Sequence, residues 1–237
     1  SYSVLQNYMH IPTKFLLSRF SVLLCMPFEC FLWIVLILIK GFCTAFQQGF
    51  EHICLILLPV MRKLKVTELN RLDVEQFKAS EKTPLAVVLD DVRSMHNVGS
   101  VFRTADAFRA ELVCLCGITS CPPHAEIHKT ALGAEDSVEW KHYVSAMEAV
   151  QELHAAGFEV YALEQVEGSV SLNDFVPESG KKYAIVLGNE VKGVAQEVVD
   201  ACDGALEIPQ FGTKHSLNVS VSGGIAIWHF AKSLLGL

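Results

Sequence analysis

Three polar, glycine-bearing segments carry the residue types in this chain that are best suited to ligand binding and catalysis. They span residues 90–103, 188–193 and 208–224. The first two directly follow the short apolar runs 85–89 and 183–187, whose β-branched residues predict buried strands. Ligands of parallel α/β sheets bind outside the carboxyl ends of the strands. We therefore predict that the three segments come together around one site.

The third segment predicts a loop that leads into the start of a helix. Ser216 and Asn218 are residue types that accept hydrogen bonds from the unpaired N–H groups of a first helical turn, which also attracts anions. Gly223 and Gly224 follow inside the predicted helix, where each glycine costs about 1 kcal/mol relative to alanine. We therefore expect another element to approach this helix closely. A tightly packed, well-capped C-terminal helix without a ligand is the alternative interpretation.

Together, the three segments resemble the three ordered motifs of the SpoU/TrmH family. The matching stretches are Asn-Val-Gly-Ser-Val-Phe-Arg at 97–103, Leu-Gly-Asn-Glu-Val-Lys-Gly-Val at 187–194, and the run from Ile-Pro at 208 to Ser-Leu-Asn-Val-Ser at 216–220. The resemblance covers about residues 61–237. Members of this family are SPOUT-class RNA ribose 2′-O-methyltransferases that use S-adenosyl-L-methionine. The resemblance implies the same methyl donor and a C-terminal trefoil knot, which is a rare chain topology.

The resemblance also assigns catalytic roles to five residues. Arg103 is the catalytic residue, Asn97 supports it, and their family-matched partners are Glu190, Ser216 and Asn218. A guanidinium group stays protonated to very high pH, so Arg103 suits phosphate binding and stabilisation of the nascent alkoxide unless its neighbours make it a base. Glu190 could pair with Arg103 and orient it. By residue type alone, Arg103 is a surface arginine and Glu190 a solvated loop acid.

By the same resemblance, the methyl donor should rest on the backbone of loops that follow strands. The residues expected to bind it are Leu163, Leu187, Gly188, Asn189, Gly193, Ile208, Gln210, Ser216 and Leu217. Gly188 and Gly193 permit close approach of the backbone and unusual backbone angles. No Gly-x-Gly-x-x-Gly motif follows the first strand, and no Gly-x4-Gly-Lys-Ser/Thr motif occurs in the sequence. A dinucleotide-dependent dehydrogenase and a nucleoside triphosphatase are therefore disfavoured.

A group of cysteines and histidines could in principle hold a metal. Cys114, Cys116 and Cys121 precede His124 and His128, and all five are ligand types that zinc accepts. The spacing contains no Cys-x-x-Cys pair. Cys114 and Cys116 are alternate residues of one predicted strand, so both face the same side of the sheet. Buried apolar cysteines are far more common than such a site, so we predict no metal. The cysteines form no disulfide framework and fit a reducing compartment, so we expect a cytoplasmic protein.

The charge of the chain restricts how it can bind RNA. Its 237 residues carry a formal net charge of −7, and residues 61–237 alone, with 16 basic and 24 acidic residues, carry −8. Phosphate contacts dominate nucleic-acid affinity, so this acidity argues against tight, sequence-blind RNA binding. A local basic face would be sufficient. Residues 61–82 hold six basic and four acidic side chains, which predict an RNA-contacting arm or a solvated helix of mixed charge.

The composition changes sharply near residue 61. Residues 21–39 contain 16 apolar residues among 19 and could span a bilayer, although Glu29 inside the run is costly. Met61 looks like a natural start, immediately before the family-like region. We therefore predict a hydrophobic segment, 1–60, that is either upstream sequence outside the working enzyme or a membrane anchor. The resemblance implies that residues 61–237 form a SpoU-like methyltransferase domain, and a membrane contact is expected only if the anchor is genuine.

Predicted strands and helices alternate along residues 61–237. The strands are 85–90, 111–116, 138–143, 158–163, 183–187 and 205–208, and the helices are 66–80, 98–109 with Asn97 before it, 125–132, 146–156, 194–201 and a last one with Val221, Ile225 and Trp228 on one face. Such alternation is typical of an α/β fold with a mostly parallel sheet and helices on both faces. The resemblance adds the SPOUT topology with its C-terminal knot.

These observations predict an S-adenosyl-L-methionine-dependent enzyme that methylates a ribose 2′-OH of tRNA or rRNA. A homodimer is expected because the family builds its site across two subunits. RNA is the expected partner, and DNA is not. The alternative is a catalytically inactive knotted module that binds RNA or another protein. The intact set of Asn97, Arg103, Glu190, Ser216 and Asn218 favours the enzyme.

Overall fold

One parallel sheet of seven strands organises the part of the chain that this computed structural model describes, residues 61–237. The strands are β1 Thr83–Asp90, β2 Ala110–Cys116, β3 Trp140–Tyr143, β4 Phe158–Leu163, β5 Val170–Ser171, β6 Lys182–Leu187 and β7 Gly204–Glu207. Their order in the sheet is β3-β2-β1-β6-β4-β7-β5, and neighbouring strands pair in parallel. The predicted parallel α/β architecture is confirmed.

Helices cover both faces of the sheet. They are α1 Val74–Ala79, α2 Met95–Ala107, α3 Ala125–Ala131, α4 Ala134–Ser137, α5 Ala146–Ala155, α6 Gln196–Ala201 and α7 Val219–Leu234. Successive side chains of a strand point to opposite faces. In β1, Leu85, Val87 and Leu89 join the core beneath α2 and α7, whereas Ala86 and Val88 join the core beneath α5 and α6. The central strand is therefore buried from both sides, as expected of a parallel sheet.

The last helix, α7, packs against α2 and against strands β1 and β6. Its Ile227 and Phe230 are fully buried. A Cβ atom on Gly223 would lie 2.7 Å from Leu187 Cδ1, so a close neighbour does explain this glycine. Gly224 would meet nothing within 4 Å, so no close neighbour within residues 61–237 accounts for this second glycine. The trefoil knot implied by the family resemblance stays a prediction.

Several short elements differ from the sequence prediction. The single helix expected over 66–80 is wrong, because the chain forms a 3-10 turn at Val66–Glu68 and then the separate helix α1. Asp73 and Gln76 cap α1 reciprocally through side chain and backbone, which sets the start of this helix. The helix α4 and the two-residue strand β5 were not predicted, because such short elements leave no periodic pattern.

Residues Asn70–Leu237 form one compact unit, which contains all seven strands. The interpretations of residues 1–60, including the apolar run 21–39, lie outside the described residues. Within residues 61–237, none of the helices combines the length and the hydropathy needed to cross a membrane. The boundary predicted at residue 61 stays a prediction.

Candidate active site

A cavity of about 560 Å³ lies at the carboxyl ends of β4, β6 and β7. A volume of this order suits a small-molecule ligand. Each residue predicted to bind the methyl donor lines it, namely Leu163, Leu187, Gly188, Asn189, Gly193, Ile208, Gln210, Ser216 and Leu217. Glu190 and Asn218, predicted as catalytic, line it as well. The structure thus brings the second and third segments together, while donor binding itself stays a prediction.

A tight turn after β6 forms one wall of this cavity. The backbones of Asn189 and Gly193 exchange two hydrogen bonds of 3.0 and 2.9 Å, and the Asn189 side-chain oxygen accepts from Val191 N at 2.9 Å. A Cβ atom on Gly188 would lie 2.1 Å from the Gly193 carbonyl carbon. Gly193 has a φ of +71°, which non-glycine residues rarely adopt. Only glycine therefore fits at the two ends of this turn.

Two neighbouring segments hold the turn in place. The side-chain amide of Asn189 donates to the Asp91 carbonyl oxygen at 2.7 Å, which joins the turn to the end of β1. Glu164, just after β4, accepts from Val194 N at 3.0 Å and from Gln165 N at 2.9 Å. These contacts come from the ends of β1 and β4, the two strands that lie on either side of β6 in the sheet. The pairing of these strands therefore fixes the position of this cavity wall.

Glu190 connects this turn to the start of α2. Its carboxylate oxygens accept from the backbone N–H groups of Arg93 and Ser94 and from the Asn97 side-chain amide, each at 3.0 Å. Burial opposes ionisation of Glu190, but these hydrogen bonds outweigh it and hold the pKa of the carboxyl below its ordinary value. A carboxylate at a helix N-terminus is also favoured by the helix dipole. Glu190 is therefore a charged anchor for α2.

The predicted pairing of Glu190 with Arg103 is wrong within this chain, because both carboxylate oxygens are engaged by the start of α2. The predicted boundary of that helix is also wrong: α2 begins at Met95, and Asn97 lies inside its first turn. Ser94 is the N-cap, and its hydroxyl accepts from Asn97 N at 3.4 Å. The Asn97 side chain is thereby free to point at the second and third segments.

Asn97 bridges Glu190 and the start of α7. The Asn218 side-chain amide donates to Asn97 Oδ1 at 3.2 Å. Asn218 is the N-cap of α7, and its Oδ1 accepts from Ser220 N at 3.0 Å and Val221 N at 3.4 Å. Ser216 is exposed and precedes the helix, so the expectation that it caps α7 is wrong. Glu190, Asn97 and Asn218 thus form one hydrogen-bonded chain across all three segments.

Arg103 lies apart from this group. It is exposed on α2 and does not line the cavity. It lies six positions after Asn97 on the helix, which places the two side chains about 120° apart around the helix. Its guanidinium group forms no hydrogen bond or ion pair with any residue between 61 and 237. The chain therefore presents Arg103 away from its own cavity.

Some residues that shape the site were missed by the sequence prediction. Arg93 and Ser94 act through backbone N–H groups, which every residue type except proline carries, so side-chain identity gives no signal for them. For Ser94 the sequence did contain a separate signal, because serine is a common N-cap residue. Gln165 also lines the cavity, and its side-chain amide donates to the His215 carbonyl oxygen at 3.0 Å. It stands in a loop without a recognisable motif.

The cysteines and histidines weighed as metal ligands have other partners. Cys114 and Cys116 are fully buried in the core beneath α5, and burial raises the pKa of the Cys114 thiol to about 12. His124 caps α3 by accepting from Glu126 N, and His128 Nδ1 lies 2.6 Å from Glu135 Oε1. Among residues 61–237, no group of three or more potential ligands is placed to hold a metal.

The capping role of Asn218 predicts a difference between two substitutions. Asn218→Ala should lower the free energy of unfolding by about 1 kcal/mol, since the first N–H groups of α7 lose their acceptor. Asn218→Ser should retain most of the stability, because serine also caps helices and adds no charge beside Asn97 and Glu190. Urea unfolding of the two variants measures both effects. Equal destabilisation by alanine and serine would contradict the capping role.

The sequence and the fold are similar to those of several known proteins. The chain is 29% identical over 177 residues to the 23S rRNA (guanosine-2′-O-)-methyltransferase RlmB of Vibrio parahaemolyticus. The aligned region covers 74% of this chain and 70% of that protein. The fold resembles a TrmH/SpoU tRNA modifying enzyme from A. aeolicus, with a TM-score of 0.60, 24% identity, and coverage of 68% of this chain and 81% of the other. It also resembles an AdoMet-bound rRNA methyltransferase from Sinorhizobium meliloti, with a TM-score of 0.59, 27% identity, and coverage of 66% and 59%.

A family model covers most of the unit that contains the cavity. The model of the SpoU rRNA Methylase family matches residues 84–228, which include the ends of β1 and β6 and the start of α7. All three polar segments fall within this match, and the hydrogen bonds between Glu190, Asn97 and Asn218 join them. The family resemblance predicted from these segments is confirmed, and the chain belongs to the SpoU rRNA Methylase family.

Proposed function

We propose that the protein transfers the methyl group of S-adenosylmethionine to a ribose 2′-OH of tRNA or rRNA. The observation that carries this proposal is the cavity at the strand ends. Glu190 and Asn218 line this cavity, and hydrogen bonds through Asn97 join them to each other. The relative from Vibrio parahaemolyticus is named as a guanosine-2′-O-methyltransferase of 23S rRNA, and the related structure from Sinorhizobium meliloti contains AdoMet. Both support the same chemistry for this chain.

The cavity walls fit an adenosyl and methionyl group. Apolar side chains of Leu163, Leu187 and Ile208 offer surfaces for a purine ring, and Gly188 and Gly193 add backbone without a side chain to the cavity wall. S-adenosylmethionine, when bound, supplies a methyl group on a positively charged sulfur. Carboxylates in the cavity wall, among them Glu190, favour a ligand that carries positive charge.

The reaction places specific demands on the protein. As the ribose oxygen bonds to the methyl carbon, the carbon–sulfur bond breaks, its electron pair stays on sulfur to leave a neutral thioether, and the hydroxyl proton passes to solvent water. Negative charge grows on the ribose oxygen, so a fixed cation beside it lowers the barrier. Glu190 and Asn97 are already engaged with each other and with the start of α2. We assign to them the positioning of α2, and to Arg103 the stabilisation of the ribose oxygen or an adjoining phosphate.

Arg103 can reach a donor cavity only in a second copy of the chain, since it faces away from its own. An apolar stripe on α7 suits such a homodimer: Val221, Ile225 and Trp228 are 51%, 40% and 46% exposed and lie on one face. The open space beside Gly224, on the same face, would admit another helix at close range. We therefore propose that two chains pair through α7 and that each supplies Arg103 to the other's cavity.

A charge placed on the α7 stripe should test the dimer. Ile225→Lys is expected to yield a monomer, because a buried lysine without a partner destabilises an interface, and to lose methyl transfer with it. Light scattering after gel filtration gives the mass, and transfer of labelled methyl to RNA gives the activity. Val144→Lys is the control, because Val144 is 77% exposed between β3 and α5. An active monomeric variant would contradict the proposal.

The activity itself is tested with labelled S-adenosylmethionine. The purified protein is incubated with unmodified total RNA, with total DNA, and with RNA in which every 2′-OH has been replaced by 2′-deoxy or 2′-O-methyl. Incorporation into unmodified RNA alone is the expected result, and ribose-methylation mapping then separates tRNA from rRNA. Tight binding of RNA without incorporation of label would instead favour a catalytically inactive binding module.

A further inference from the structure

An exposed aromatic side chain belongs to a loop that lines the cavity. Phe211 is 97% exposed and belongs to the loop that connects β7 to α7. Its neighbour Gln210 lines the cavity, as does His215 four residues later. The ring therefore sits on a short loop whose two ends both form the cavity wall. It contributes nothing to either core of the folded unit.

The loop that carries Phe211 is attached on both sides. On one side it leaves β7, and on the other the His215 carbonyl oxygen accepts the hydrogen bond from the Gln165 side chain at 3.0 Å. Three residues further on, Asn218 caps α7. These attachments hold both ends of the loop that carries Phe211 at the cavity.

Basic residues accompany this aromatic residue in the sequence of the loop and at the cavity. Lys214 and His215 follow it in the same loop, and Lys192 lines the cavity. Neither lysine forms an ion pair with another residue in the range 61–237. In a region whose formal charge is −8, Lys214 offers a positive charge without an ion-pair partner, outside the cavity wall, to which a phosphate group can bind. An aromatic ring among basic groups is the usual arrangement for binding unstacked RNA bases.

We propose that Phe211 stacks against a base of the RNA substrate, at or next to the nucleotide whose ribose is methylated, with Lys214 at the adjoining phosphate. This inference rests on the proposed function. A ribose can enter the cavity only if its nucleotide leaves the regular stack, and the aromatic face replaces part of the stacking that is lost. Phe211 is thus a positioning residue for the substrate.

Binding to a base-containing and a base-free strand tests this role. The probes are a fluorescein-labelled oligo(A) RNA of about 12 nucleotides and an abasic ribose-phosphate strand of equal length. Phe211→Ala should weaken binding of oligo(A) about ten-fold, as loss of one stacked base does, and should leave binding of the abasic strand nearly unchanged. Phe211→Trp should restore the preference for bases, whereas Phe211→Leu, apolar but without a ring, should not.

Further measurements separate this role from its competitors. Val176→Ala, at a site 73% exposed between β5 and β6, is the matched surface control and should bind both strands normally. An unchanged preference for oligo(A) in Phe211→Ala would overturn the inference. So would weaker binding of S-adenosylmethionine or an altered oligomeric mass, because the ring would then serve the donor or the dimer. Methyl transfer to total RNA is measured separately: a wild-type protein that is inactive but prefers bases through Phe211 contradicts only the proposed function.

Discussion

Arg103→Ala is expected to lower the rate of methyl transfer about 10²- to 10³-fold, as removal of one preorganised charge-stabilising group does. Binding of S-adenosylmethionine should remain normal, because Arg103 does not line the cavity of its own chain. Unfolding should also be unaffected, since its guanidinium group contacts no partner in the described residues. Single-turnover kinetics, donor titration calorimetry and urea unfolding check the three expectations. Arg103→Lys keeps the positive charge but lacks the planar guanidinium group with its parallel N–H donors, so this variant should recover little activity.

A mixture of two inactive variants shows which subunit supplies Arg103. Arg103→Ala retains a donor cavity, whereas Gly188→Val retains Arg103 and has the cavity wall disrupted. If the arginine acts across the dimer, a mixed dimer has one intact site, and a one-to-one mixture should recover about a quarter of the normal activity. Co-expression with two different tags isolates the mixed dimer. No recovery in that species would show that Arg103 acts within its own chain, and the proposed arrangement would be wrong.

The position of the cavity could be predicted because parallel strands end at one edge of the sheet. The apolar runs that became β1 and β6 are buried on both faces and are easily recognised in sequence. The polar segments behind them had to meet, and Asn189 and Asn218 lie where that argument placed them. Glycine at 188 and 193 carried a second signal, because the turn admits no side chain there.

The connections between the segments could not be predicted in the same way. Glu190 binds backbone N–H groups 96 and 97 residues away in sequence, and no pattern of residue types encodes such a contact. The expected ion pair with Arg103 followed from charge alone and failed, because the helix rotates Arg103 away from the side that faces Glu190. Ser216 was assigned a cap by its type, but Asn218 holds that position. Residue types indicated which residues belong to the site, but they did not indicate which of these residues form hydrogen bonds with each other.

The expected helix 66–80 shows how a local cap overrides an apparent pattern. Its charged residues suggested one amphipathic helix, but Asp73 and Gln76 together satisfy the N-terminal backbone of α1 and fix its start at Val74. Asn70, three residues before Asp73, has a φ of +47°, which no helix continues through. The capping pair of Asp73 and Gln76 was thus a stronger signal in this stretch than the pattern of charged residues over 66–80.

Gly188→Ala is expected to weaken binding of S-adenosylmethionine about ten-fold or more and to destabilise the fold by about 1–3 kcal/mol, the usual range for overpacking. The added Cβ would lie 2.1 Å from the Gly193 carbonyl carbon and 2.2 Å from Val194 N. Both are backbone atoms, so no rotation of a side chain can relieve the overlap. The whole turn must move, and with it Asn189 and Glu190, which line the cavity and hold α2.

Gly212→Ala is the matched control for this substitution, because it adds the same methyl group to another loop beside the same cavity. A Cβ atom there would meet nothing within 4 Å, and Gly212 has no positive φ that a side chain would strain. Donor titration and urea unfolding should therefore leave Gly212→Ala close to wild type while Gly188→Ala changes in both. If Gly188→Ala bound the donor normally, the turn after β6 would not be part of the donor site. If both variants lost affinity alike, the loss would come from general sensitivity of the loops and not from the contact between Gly188 and Gly193.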